Sequence, residues 1–170
     1  WFFGGDAIAC LGADIDASSD RGPVTTTLAQ RTLGERVRTS ETGADSDLGH
    51  GEHESRVRWL HHDGIGYLFS SPTDTSLTIG PRGGNWHDIN HQYADEPVEK
   101  TVFEARVGHG ATPTNATYDY VITPGVRAGS MADVAADPPV EILANRREHQ
   151  AVGFPDRGLV GATFYEAGRV

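Results

Sequence analysis

The sequence predicts an all-β protein, an antiparallel β-sandwich with few or no helices, and three observations carry that expectation. The 170 residues include 21 glycines and 9 prolines, a density that interrupts helices and suits short strands joined by turns. Several segments alternate apolar and polar residues with period two, which puts the apolar set on one face of a strand. One pair of such segments is joined by Asp63-Gly64, and that dipeptide readily adopts the positive φ values of a tight hairpin.

The elements follow in order. The chain opens Trp1-Phe2-Phe3, with no Met and no charged stretch ahead of an apolar core, so the start reads as the middle of a strand in a longer protein. Residues 8–15 and 24–28 are expected strands. Residues 40–54 are polar and acidic with three glycines, the profile of an exposed loop. Val57, Trp59 and His61 alternate with Arg58 and Leu60; past the Asp63-Gly64 turn, Ile65, Tyr67 and Phe69 alternate again. Phe103, Ala105 and Val107 share one face of the next strand, with Glu104 and Arg106 opposite. Residues 117–122 form a β-branched and aromatic run ended by Pro124-Gly125. Residues 127–139, closing on Asp137-Pro138-Pro139, read as a linker. Residues 140–152 are ambiguous, because Ala, Leu, Glu and Arg favour a helix while the apolar spacing does not. No repeat of 20–50 residues is visible.

Composition narrows the classes. There are 14 Lys and Arg against 24 Asp and Glu, a formal net charge of −10. Phosphate neutralisation needs clustered cations, so a nucleic-acid partner is disfavoured, as is a broad surface for holding a polyanion. Cys10 is the single cysteine, which leaves no intrachain disulfide and no cysteine-based zinc cluster. No run of 18 apolar residues is present, so no membrane-spanning helix is expected.

Several constellations could carry chemistry. His50-Gly51-Glu52-His53, His61-His62-Asp63 and His87-Asp88 offer donors that divalent ions favour. His50 and His53 lie in a glycine-rich segment that fixes no geometry, and His61 and His62 must point to opposite faces of a strand. Surface and turn histidines are therefore the simpler reading, with no metal and no cofactor. Asn90-His91-Gln92-Tyr93 holds the side chains a uronate lyase needs. An amide neutralises the carboxylate, and His or Tyr removes the acidified C5 proton. The acidic turn Ala94-Asp95-Glu96-Pro97 follows directly, which favours a solvent-exposed connection. Asn115-Ala116-Thr117 fits the glycosylation sequon, a frequent chance match. Ser18-Ser19-Asp20 and Cys10 lack a base at sensible spacing. Arg82-Gly83-Gly84-Asn85 reads as a turn and not a phosphate loop. Trp59 and Trp86 could serve as sugar platforms, although core positions are expected for both.

Seven segments, in order, carry a resemblance: WFFGGDAIACLG at 1–12, VTTTLAQR at 24–31, WLHHDGIGY at 59–67, GNWHDIN at 84–90, HG at 109–110, YDYVITP at 118–124 and ILAN at 142–145. Together they resemble the central β domain of polysaccharide lyase family 8, the hyaluronate, chondroitin AC and xanthan lyases. The resemblance implies a β-sandwich that is part of a supersandwich, in an enzyme secreted by bacteria and located outside the cell. Such enzymes cleave acidic polysaccharides of hyaluronan, chondroitin or xanthan type by β-elimination. The family's catalytic Asn, His, Tyr and Arg belong to an α/α-toroid domain that no segment here matches. Asn90, His91 and Tyr93 inherit no role from it, and no catalytic residue is assigned.

The resemblance also implies a boundary. Residues 1–139 would be the central β-sandwich domain, incomplete at its N-terminus, and residues 140–170 the start of a C-terminal β domain, cut short at Val170. In that register, residues 140–143 form a strand. The expected function is the non-catalytic central domain of a polysaccharide lyase, inactive alone. A stand-alone carbohydrate-binding β-sandwich is the alternative, and a small histidine-based metalloenzyme a third reading.

Overall fold

A computed structural model describes residues 1–18, 22–43 and 46–169. Ser19 and Asp20 of the serine-rich segment, Ala44 and Asp45 of the acidic segment, and Val170 lie outside the described residues. The chain forms β1 (Phe2–Gly4), β2 (Ala7–Ile15), β3 (Val24–Thr32), β4 (Arg38–Thr39), β5 (Gly51–His62) and β6 (Ile65–Asn85). After a short helix α1 (Trp86–Ile89) come β7 (Pro97–Gly110) and β8 (Ala116–Pro124). A 3₁₀ turn leads into α2 (Met131–Ala136), and β9 (Glu141–Asn145), β10 (His149–Phe154) and β11 (Leu159–Phe164) close the chain.

Every strand pairing is antiparallel. One sheet runs β1-β2-β8-β6-β5-β4, with β7 also on β6 and β3 on β7; β9, β10 and β11 form a second sheet. The expected hairpin joins β5 to β6, where Asp63 and Gly64 take φ of 54° and 71°, the left-handed pair such a turn demands.

The long strand β6 bends the first sheet. Val57 of β5 pairs with Thr73, yet Trp59 pairs with Leu68. Arg58 thus faces a bulge made of Phe69, Ser70, Ser71 and Pro72, and a bulge of this kind turns a strand sharply. Pro72 has no N–H to lose from the ladder there. Before the bulge β6 pairs with β8, and beyond it with β7. The two halves of the sheet thereby enclose one core, to which Leu60, Tyr67 and Phe69 contribute from one side and Leu77, Phe103 and Val107 from the other.

The outer face of the first half is covered as well. Ala9, Leu11, Trp59, Leu68 and Val121 pack there against Met131, Val140, Val152 and Phe154. Gly66 marks the close approach: a Cβ at this position would lie 2.5 Å from both Met131 Sδ and Thr123 Oγ1.

Three local expectations need correction. Residues 127–139 are no linker, because Met131 of α2 is completely buried and pins this segment to the sheet. The 40–54 loop is shorter than expected: β5 already begins at Gly51, and the Ser40 hydroxyl accepts a bond of 2.8 Å from the Arg58 amide. Arg82-Gly83-Gly84-Asn85 is strand, paired residue by residue with β7, and not a turn. Glu104, on the face of β7 opposite Phe103, is 5% exposed, with the Arg106 guanidinium bonded to its carboxylate. The ambiguous 140–152 segment is β-structure, with β9 at Glu141–Asn145. No described helix is long and apolar enough to cross a membrane.

Candidate functional site

His61 and His62 end β5 and face opposite sides of it, as strand geometry requires. Both are buried, at 4% and 0% exposure, where surface positions were expected. The reason is the second covered face: β5 has core on either side of it at this end. The His61 Nε2–H donates to the Val126 carbonyl at 2.9 Å, and its Nδ1 has no partner among the described residues. The His62 ring lies 4.7 Å from that of Phe103, and neither of its nitrogens has a hydrogen-bond partner among the described residues. Burial holds the His62 imidazole below its ordinary pKa.

His61 also lines a cavity of about 810 Å³ together with Arg36, Arg38, His50, Asp63 and Arg127. Much of its charge is already paired. Asp47 takes Arg36 at 2.7 Å and Arg38 at 3.0 Å, and Asp63 takes Arg31 at 3.4 Å. His53 is turned to the Gly49 carbonyl, to which it donates at 2.9 Å. Among the described residues, no three His, Cys, Asp or Glu side chains gather as a metal would need.

The second candidate sits at the tip of the β6–β7 hairpin. The Asn85 side chain accepts from the His87 amide at 3.0 Å and caps α1. The Gln92 amide then donates to Asn90 Oδ1 at 3.0 Å and closes the following turn. Asn90, His91, Gln92 and Tyr93 are all exposed. The His91 ring rests 4.8 Å from that of His87, and His87 Nδ1–H donates to the Tyr93 carbonyl at 2.9 Å. This is a solvated turn whose polar groups serve one another, the exposed connection that the sequence suggested. Trp86 departs from expectation: it is 57% exposed, whereas Trp59 is buried at 5%.

The remaining candidates stay apart. Cys10 is buried beside the Tyr120 hydroxyl, and desolvation pushes the pKa values of both groups up, the opposite of an activated thiol. Asn115 is exposed in a left-handed turn at φ 49°. Residues that sequence reasoning missed include Arg36, Arg38 and Arg127, which are brought to one cavity from distant segments. Another is the pair Arg82 and Lys100, set opposite each other across β6 and β7. No spacing rule reveals such pairs, because strand register is a tertiary property.

Comparison with known proteins matches this geometry. Residues 1–135 match the family described as polysaccharide lyase family 8, super-sandwich domain. The chain is 33% identical to a chondroitinase-AC of Pedobacter heparinus over all of its length and 24% of that protein's. It is 32% identical to a hyaluronate lyase of Thermasporomyces composti, covering all of this chain and 22% of the relative. A Bacillus xanthan lyase is 30% identical over 97% of this chain and 19% of its own length. The chain thus spans about a quarter or less of each relative. Among solved structures, a chondroitinase AC lyase studied with oligosaccharides superimposes with a TM-score of 0.89 and 34% identity, over 99% of this chain and 25% of that one. The bent, doubly covered sheet and these matches agree: the chain belongs to polysaccharide lyase family 8, as part of its super-sandwich domain.

Proposed function

We propose that this chain is the non-catalytic central β domain of a secreted bacterial lyase that cleaves uronate-containing polysaccharides by β-elimination. Elimination needs an amide or cation to neutralise the uronate, a base for the C5 proton and an acid for the leaving oxygen, all converging on one sugar. The observation that carries the reading is the placement of the Asn, His and Tyr that adjoin in the sequence. Asn90, His91 and Tyr93 lie exposed around one tight turn, occupied with their neighbours. Water competes at such a place with every charge–dipole interaction that elimination relies on. Catalysis therefore belongs to a helical α/α-toroid domain of the same polypeptide, and the sandwich supports it. Residues 1–139 make up the central domain and residues 140–170 begin the C-terminal one, sharing the core around Met131 and Val152.

The DNA upstream of this reading frame tests the assignment. A helical region carrying Asn, His, Tyr and Arg is expected there, in frame with Trp1. An upstream region without one removes the lyase reading and leaves a stand-alone carbohydrate-binding sandwich.

A further inference from the structure

We propose that Arg82, Lys100 and Trp86 form a subsite for one anionic sugar unit on the β6–β7 hairpin; this rests on the polysaccharide reading above. Arg82 and Lys100 are direct register partners, which brings their Cβ atoms to about 5 Å in an antiparallel pair. Like charges placed so are unfavourable unless something neutralises them. No described carboxylate lies within ion-pair distance of either one, in a chain whose net charge is −10. Glu99, next to Lys100, faces the other side of the strand by alternation.

The surroundings suit a sugar and not only an ion. Arg82 and Lys100 line a cavity of about 220 Å³ whose other walls include Trp86, Ile89 and Val98. Gly84 faces Val98 across the ladder, and a Cβ there would meet nothing within 4 Å, so the floor is open. Trp86 is 57% exposed and Val98 37%, an apolar shelf beside two cations. The C–H face of a pyranose can lie on the indole while its carboxylate reaches both cations, a charge-assisted contact that neutral sugars cannot make. A pocket with few converging polar groups against apolar walls is the usual form of a small-ligand site.

The test uses the 170-residue chain, a hyaluronan hexasaccharide and the neutral chitohexaose. The indole N–H signal of Trp86 is followed by nuclear magnetic resonance, and affinity by calorimetry. A saturable shift of the Trp86 signal is expected with the acidic hexasaccharide and none with the neutral one. R82Q/K100Q and W86A, both at exposed positions, should each weaken binding at least ten-fold. An unmoved Trp86 signal, an equal response to the neutral sugar, or unchanged binding by R82Q/K100Q overturns the subsite. The two proposals fail separately: an inert Trp86 leaves the domain assignment standing, whereas a missing upstream helical region leaves a measured sugar site in place.

Discussion

Trp59 and Leu60 are consecutive in the chain and lie in different cores. Leu60, completely buried, points between the two halves of the bent sheet, and Trp59 points outward under α2 and the β9–β11 sheet. Both faces of this strand are thus interior, the condition that also buries His61 and His62. Leu60→Ala should cost about 2–5 kcal/mol and Trp59→Ala about 3–5 kcal/mol by cavity formation. Urea unfolding measures both; a cost below about 1 kcal/mol for Trp59→Ala would mean the outer layer does not cover the sheet.

Gly66 and Met131 meet across that outer interface. Gly66→Ala forces a methyl to within 2.5 Å of Met131 Sδ and Thr123 Oγ1, an overpacking worth about 1–3 kcal/mol. Because the sulfur is one of the two obstacles, the same substitution should cost less in a Met131→Ala background. A double-mutant cycle reads this directly, and strict additivity would deny the contact.

Acid should destabilise the fold through His62. Its folded pKa is lowered by burial from 6.5, so below about that pH the unfolded chain binds a proton the folded chain does not. Stability then falls as pH drops from 6.5 toward the folded pKa, by at most about 1.4 kcal/mol per pH unit. His109, shifted the same way by burial, adds to the slope. In His62→Phe the ring still fills the space beside Phe103, and the slope between pH 6.5 and 5 should shrink to the part due to His109. An unchanged slope would place the acid sensitivity elsewhere.

Cys10 should be inert in the folded chain. The thiol is 1% exposed, and desolvation raises its pKa, so little thiolate is present and no reagent reaches it. Reaction with an aromatic disulfide should proceed only on unfolding, in step with the urea transition. Rapid modification in buffer would show that β2 opens locally.

Much of the fold was legible because strands with one apolar face write period two into the sequence. Val57 to Phe69 gave both the hairpin and its turn, and Phe103 to Val107 gave the core face of β7. What stayed hidden depends on a second covering layer. Met131 looks like one apolar residue in a stretch of small ones until the sheet behind it is known, and His61 looks polar enough for the surface. The bulge at Phe69 to Pro72 was unreadable for a related reason: it keeps β6 continuous through Ser, Ser and Pro, residues that otherwise end strands. Trp86 defies the expectation that a large aromatic is core, because it starts α1 at the tip of the β6–β7 hairpin, where it is exposed. The Arg82–Lys100 pairing needs register, which 17 residues of intervening chain conceal.

Turnover by the 170-residue chain itself tests the central claim most directly. Hyaluronan, chondroitin and xanthan are each incubated with it, and the ultraviolet absorbance of the unsaturated uronate is followed. No product above the buffer control is expected from any of the three. Sustained formation of unsaturated ends by this chain, lost on His91→Ala or Tyr93→Phe, would place catalysis in the sandwich and contradict the account.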